Sequence, residues 1–316
     1  MGITERIDAI TGIPPDFRRA APPPPRSVKI ELTGRCNFNC AFCARSKVLR
    51  DQSDMDWGFY KRITEEMSIA GVEELGLFYL GESFLCKWLP DAVAHAADLF
   101  PYVFLTTNGS VSSPERMEAC MRAGLDSLKF SMNYADEEQF CDIARVKPAL
   151  FHKMIENIKA SKDIRDQVYE DTGKRCGLYA SYIKYDDEQM ERILPALEEI
   201  KPFVDQLYAL PLYNQADHVT EDERERGWSP TAGNRGRYAN LRDPLPCWAV
   251  FTEGHITWDG RLSACCFDHD GRFNMGDLNE MTFMEAWHSK SFRDLRVKHL
   301  RKNVTNTVCE NCVAYS

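Results

Sequence analysis

The chain has 316 residues, 28% of them charged, and a net charge of −9. That length suffices for one large α/β domain with a small appendage. The acidic balance argues against a nucleic-acid partner held by phosphate neutralisation. No run of about 18 apolar residues points to a membrane partner. The N-terminus lacks a basic–apolar–small signal, so a cytoplasmic location is expected. Twelve cysteines in a long, unsignalled chain with clustered C-x-x-C spacings point to metal ligation rather than disulfides.

Residues 1–27 read as an arm. Pro14–Pro15 and Pro22 to Pro25 cannot continue a helix and favour an extended path along the following domain. From Val28 the pattern alternates strand and helix. Val28, Ile30 and Leu32 form the first strand, ended by Thr33–Gly34. Asp56 caps a helix with Ile63, Met67 and Ala70 on one face. Strand 75–80, helix 90–99 and strand 102–106 follow. Ser113 caps helix 114–123, with Pro114 at its first position. Strand 125–132 leads by a long connection to helix 148–165. Strand 178–183, helix 187–200 and strand 205–210 complete the series. Six strands alternating with helices imply parallel βαβ units, in either a doubly wound sheet or a partial barrel. Residues 211–246 turn polar and loop-rich, with Asn214, Gln215, Gly227, Ser229–Pro230 and Gly233–Asn234, and read as a bridge bordering the active site.

The chemistry starts right after the first strand. Cys36, Cys40 and Cys43 are spaced C-x₃-C-x₂-C. Three thiolates on one loop can hold three irons of a [4Fe–4S] cube and leave the fourth open, where four thiolates would close it. A zinc loop is the plainer alternative. These cysteines with Phe42 between them resemble the signature of the radical S-adenosylmethionine (radical SAM) superfamily. The resemblance implies a (β/α)6 partial TIM barrel, a SAM-binding cluster and S-adenosyl-L-methionine (SAM) itself. The open iron would chelate the methionine part of SAM, and cleavage would give a 5′-deoxyadenosyl radical. A flavodoxin- or ferredoxin-type electron donor follows as a partner.

In parallel α/β folds ligands sit at the carboxyl ends of strands. The second strand ends in Gly81–Glu82–Ser83, similar to the family's Gly-Gly-Glu-Pro, with Leu80 and Ser83 departing from it. The resemblance assigns Gly81 and Glu82 to the SAM amine. Thr107–Asn108–Gly109 resembles the family's Thr-Asn-Gly element, though an Asn-Gly turn reads the same way. Ser131 and Asn133 suit ribose or carboxylate oxygens. Arg145 resembles an arginine that pairs with the SAM carboxylate, as a planar fork fits it.

Cys247, Cys265, Cys309 and Cys312 form a second set. A tight turn at Asp259–Gly260 between strands 254–258 and 261–264 brings the first two together, and helix 283–296 leads back to the last two. The set resembles the twitch domain, the short form of the SPASM domain. That implies a second, auxiliary [4Fe–4S] cluster with four Cys ligands. Cys₄ zinc is the alternative, and Cys266 competes with Cys265 as ligand. The expected domains are the arm 1–27, the barrel 28–210, the bridge 211–246 and the auxiliary domain 247–316. Cys86, Cys120, Cys141 and Cys176 read as small core residues.

Among family members the chain is similar to the 2-deoxy-scyllo-inosamine dehydrogenase type. This implies a radical SAM oxidoreductase oxidising a small-molecule substrate, a sugar or aminocyclitol alcohol. Asp268 is the first candidate for the base and His269 the second. The alternatives are a redox-neutral epimerase with Cys266 returning hydrogen, a peptide maturase, and a zinc-bound non-enzymatic protein.

Overall fold

Alternation along each strand builds the wall of the fold. The computed structural model describes residues 2–48, 50–228 and 246–312. After helix α1 (Ile3–Thr11), strand β1 (Ser27–Ile30) turns Val28 and Ile30 outward into a fully buried core, while Ser27 and Lys29 border a central cavity. Helix α2 (Trp57–Ala70) starts at Asp56, whose side chain accepts from the Phe59 amide at 2.8 Å, as the sequence predicts. Then come β2 (Glu74–Gly76), α3 (Leu89–Ala97), β3 (Tyr102–Thr107), α4 (Pro114–Arg122) and β4 (Ser127–Ser131). Helices α5 (Glu137–Ala144) and α6 (Ala149–Thr172) precede β5 (Gly177–Lys184), α7 (Asp187–Ile200) and β6 (Gln206–Pro211).

The six strands pair in parallel in the order β6-β5-β4-β3-β2-β1. The order never reverses. A doubly wound sheet has a switch point where it does, so the architecture is the expected (β/α)6 partial barrel. Buried side chains of α2, α3, α4, α6 and α7 cover its outer face.

The arm differs from its expectation. Its prolines do interrupt helix, but residues 3–11 before them are helical. Arg6 of α1 meets Glu74 at 2.5 Å and lies 3.2 Å from the Tyr102 ring centre. Gln206 donates to Thr4 at 2.6 Å. Those partners stand at the amino ends of β2, β3 and β6, so α1 closes that end and leaves the carboxyl ends for chemistry.

The connection after β4 also differs. It contains α5, a helix too short to show a clear period, N-capped by Asp136 through the Gln139 amide. Of the bridge, α8 (Thr220–Glu225) is described; Ser229–Pro230 and Gly233–Asn234 lie outside the described residues. At the C-terminal side, β7 (Glu253–Ile256) pairs in parallel with β1, and β8 (Arg261–Ser263) and β9 (Asn274–Asp277) continue antiparallel. Among the described residues the strands form one nine-stranded sheet.

The expected helix 283–296 is two, α9 (Phe283–Trp287) and α10 (Lys290–Leu300), because Ser289 caps the second through the Phe292 amide. Trp287 and His288 reach the Pro23 and Pro22 carbonyls, each at 2.8 Å. The proline arm thus straps the C-terminal helices to the barrel.

Candidate functional site

The loop after β1 is braced from three sides. Arg45 donates to the Gly34 carbonyl at 2.8 Å. The Asn39 and Ala41 amides donate to the Ala144 and Ile143 carbonyls at the end of α5. Asn37 bonds both Ser110 and the Asn108 side chain, each at 2.9 Å, behind β3. These contacts turn Cys36, Cys40 and Cys43 into one half-buried group. Burial and then the Glu82 carboxylate push the Cys36 thiol up to about 12, and Cys40 and Cys43 are raised chiefly by burial. Buried thiols crowded beside a carboxylate resist ionisation; cationic iron reverses that balance and holds them as thiolates. All twelve cysteines are free, so the set fits a thiolate-bound cluster. Tyr134 Oη lies 3.1 Å from Cys40 Sγ, a neighbour that spacing could not reveal. Phe42 is half-buried 6.1 Å from the Tyr185 ring.

The strand-end elements converge next to this loop. Glu82 is 3% exposed. Its carboxylate accepts from Thr107 Oγ1 at 2.8 Å, the Asn108 amide at 2.8 Å and the Phe84 amide at 3.2 Å. Burial raises its pKa, and those bonds oppose the shift without cancelling it. A cationic amine beside it would relieve that strain. Gly81 is the point of closest approach. A Cβ there would stand 2.1 Å from the Thr33 carbonyl oxygen and 2.8 Å from that of Arg35, so only glycine fits. Arg145 is exposed and takes a left-handed φ of 56° directly after the α5 carbonyls that pin the loop. Ser131 ends β4 half-buried, whereas the Asn133 side chain is buried and accepts from the Ile183 amide at 3.2 Å. Asn133 is thus engaged in holding the end of β5.

The second cysteine set also comes together. Cys247, Cys265, Cys309 and Cys312, with Cys266, border one cavity of about 420 Å³ that runs into the barrel lumen. Burial raises Cys247, and after it the Cys312, Cys309 and Cys266 thiols. Cys309 is pushed up to about 12 by burial and Cys312. Four thiols fronting open space rather than packed core fit a second cluster. Cys265 Sγ accepts from the Phe267 amide at 3.4 Å, a bond of the kind that supports a ligand thiolate. Cys266 faces the same space.

Asp268 and His269 are not brought to that cavity. Asp268 is 1% exposed, and its oxygens accept from Ser263 Oγ at 2.7 Å and the Phe273 amide at 3.2 Å. It spans the β8–β9 connection as a turn-holding carboxylate. His269 instead reaches the first loop, its Nε2 4.0 Å from Cys43 Sγ. Burial, with Arg50, His218 and Arg45 beside it, holds its pKa down at about 3, so it is neutral. Sequence reasoning passed over Lys29, Lys129, Glu253 and His255, which line or underlie the lumen. Their signal was a charged residue at alternate positions of otherwise apolar strands.

A family profile for the radical SAM superfamily matches residues 30–194, more than half of the chain. The chain belongs to the radical SAM superfamily. An iron–sulfur cluster-binding SPASM domain matches residues 247–313. Together the two matches imply SAM, a SAM-binding [4Fe–4S] cluster and auxiliary [4Fe–4S] binding, as the two cysteine sets suggest. The chain is 26% identical over 267 residues to the PqqA peptide cyclase of Xanthomonas oryzae pv. oryzae, covering 75% of this chain and 72% of that one. Among solved structures it resembles BtrN in complex with AdoMet and 2-DOIA, at a TM-score of 0.59 and 17% identity over 91% of this chain and 92% of that one. It also resembles Streptococcus suis SuiB bound to precursor peptide SuiA, at a TM-score of 0.64 and 16% identity over 98% and 72%. At these identities the structural likenesses speak for the fold.

Proposed function

We propose that this radical SAM enzyme modifies a peptide, removing hydrogen from a residue held in the barrel lumen. The observation that carries the reading is the similarity to PqqA peptide cyclases across three quarters of the chain. This moves the reading from the sugar or aminocyclitol suggested by size towards the peptide alternative. When bound, SAM and its cluster supply a 5′-deoxyadenosyl radical. Cys36, Cys40 and Cys43 would hold that cluster, Gly81 and Glu82 the SAM amine, and Arg145 its carboxylate. Thr107 and the Asn108 amide keep the Glu82 carboxylate fixed for that contact. Cys247, Cys265, Cys309 and Cys312 would hold the auxiliary cluster on the same cavity. When bound there, that cluster would supply an electron acceptor on the cavity, which supports oxidation. A flavodoxin- or ferredoxin-type protein is the proposed source of the first electron.

A small polar metabolite is the second reading. It is favoured by the likeness to BtrN, which matches nearly end to end. One experiment divides the two. The anaerobically reconstituted protein is given SAM, reductant and either short peptides encoded near its gene or a panel of aminocyclitols. Peptide-dependent 5′-deoxyadenosine with loss of hydrogen from the peptide mass supports the first reading. Aminocyclitol-dependent 5′-deoxyadenosine with ketone product, and none with peptides, overturns it.

A further inference from the structure

A single hydroxyl is buried against the first cysteine loop. Tyr134 follows β4 and is 2% exposed. Its backbone is pinned on both sides: the Met132 amide donates to the Ser181 carbonyl at 2.8 Å, and the Ala135 amide to Gln139 Oε1 at 2.7 Å. Its ring is clamped edge-on between Phe140 of α5, 4.9 Å away, and Phe38 of the loop, 6.4 Å away, and those two rings stand 5.3 Å apart. Phenylalanine would fill this aromatic nest equally well. The hydroxyl brings a polar atom into it, and only a hydrogen bond offsets the cost of burying that atom. Its partner among the described residues is Cys40 Sγ at 3.1 Å, nearer than the 4.0 Å between His269 Nε2 and Cys43 Sγ. A thiol is a weak partner for a hydroxyl, whereas an ionised sulfur accepts a stronger, charge-assisted bond. The hydroxyl is therefore matched to Cys40 in the state of an iron ligand.

We propose that Tyr134 donates a hydrogen bond to the Cys40 thiolate and thereby sets the reduction potential of the SAM-binding cluster. Hydrogen bonds to ligand sulfurs are among the factors that fix such a potential. Reduction adds negative charge that is shared with the sulfurs, so the bond tightens and favours the reduced state. Its effect is towards easier reduction, on which SAM cleavage depends. Tyr134 is a positioning residue: it acts through Cys40 and keeps its proton throughout. The inference rests on Cys40 being a ligand of that cluster and is independent of which substrate occupies the lumen.

The test is an anaerobic redox titration of the full-length reconstituted protein, followed by electron paramagnetic resonance, with iron content measured alongside. The triple variant Cys36→Ala, Cys40→Ala, Cys43→Ala supplies the signal of the auxiliary cluster alone, so the two clusters are read apart. Tyr134→Phe should retain both clusters and lower the midpoint of the SAM-binding one. Its reduction equilibrium should fall about tenfold, which is about 59 mV for one electron. The auxiliary midpoint should not move. Tyr185→Phe is the control: Tyr185 is a buried tyrosine beside the same loop, its ring 6.1 Å from that of Phe42, but its hydroxyl lies 3.4 Å from the Asn133 carbonyl. It should leave both midpoints where they are. An unchanged or raised midpoint in Tyr134→Phe overturns the proposal, as does an equal fall in Tyr185→Phe. Loss of the SAM-binding cluster from Tyr134→Phe also overturns it, because the hydroxyl would then be holding the loop rather than tuning the iron. Iron content that is unchanged in Cys40→Ala removes Cys40 as a ligand, and the reading of the first cysteine set falls together with the proposal.

Discussion

Substituting Gly81 by alanine isolates the closest contact in the SAM-binding corner. The new Cβ would meet the Thr33 oxygen at 2.1 Å and the Arg35 oxygen at 2.8 Å. Both are backbone atoms, so neither can swing aside. Ordinary contact begins near 3.4 Å, so the chain before Cys36 must retreat by more than 1 Å. That retreat strains the bond from the Glu82 amide to the Arg35 carbonyl, 2.8 Å in the native structure. Overpacking of this kind costs about 1–3 kcal/mol, and losing the hydrogen bond adds about 0.5–1.5 kcal/mol. The expected total is about 1.5–4.5 kcal/mol, read by denaturant unfolding of the apoprotein, with SAM affinity falling alongside. Gly71→Ala is the control: its φ is +93° and nothing lies within 4 Å of the added methyl. It should cost about 1–2 kcal/mol through backbone strain alone and leave SAM binding untouched. Wild-type SAM affinity in Gly81→Ala, with stability changed by less than about 0.5 kcal/mol, would refute the contact geometry.

Three further outcomes follow from the geometry. Glu253 is pushed up by burial, but Lys29 and His255 outweigh this and hold its pKa at about 2. The stability it contributes is present above its unfolded pKa of about 4.5 and is lost as pH falls from there towards 2; the amount is about 3 kcal/mol. Glu253→Gln should flatten that acid limb in pH-dependent unfolding, and an unchanged slope would contradict the pairing. Arg145→Gly should weaken SAM binding by about 2–3 kcal/mol while relieving the left-handed strain at φ 56°, so that stability holds or rises; unchanged SAM affinity would remove Arg145 from the SAM site. Cys266 faces the lumen cavity, so product formed in D₂O separates two outcomes: no deuterium at carbon fits oxidation, whereas deuterium that disappears in Cys266→Ala fits the epimerase alternative.

The sequence carried the barrel because its strands alternate and its helices are long and capped. Val28 and Ile30 announce β1, and Asp56 announces α2. It did not carry α5, since eight residues give too little periodicity to stand out from a loop. Nor did it carry the continuity of the sheet from β1 into β7, a long-range pairing that no local pattern encodes. The cysteine sets were legible from spacing, which is a property of the chain itself. The fate of Asp268 was not, because a carboxylate near a turn looks the same whether it faces substrate or binds Ser263 and the Phe273 amide. Lys129 was hidden for the same reason: only the fold shows that it borders the cavity alongside Lys29.

Iron content and SAM cleavage, measured together on the triple variant Cys36→Ala, Cys40→Ala, Cys43→Ala, test the account most directly. Wild type reconstituted without air should bind about eight irons, two cubane clusters' worth, and release 5′-deoxyadenosine when reduced with SAM. The triple variant should keep about four irons on the C-terminal cysteines and release none. Deoxyadenosine from the triple variant at the wild-type rate, or zinc without iron in the wild-type protein, would contradict the assignment of the two cysteine sets.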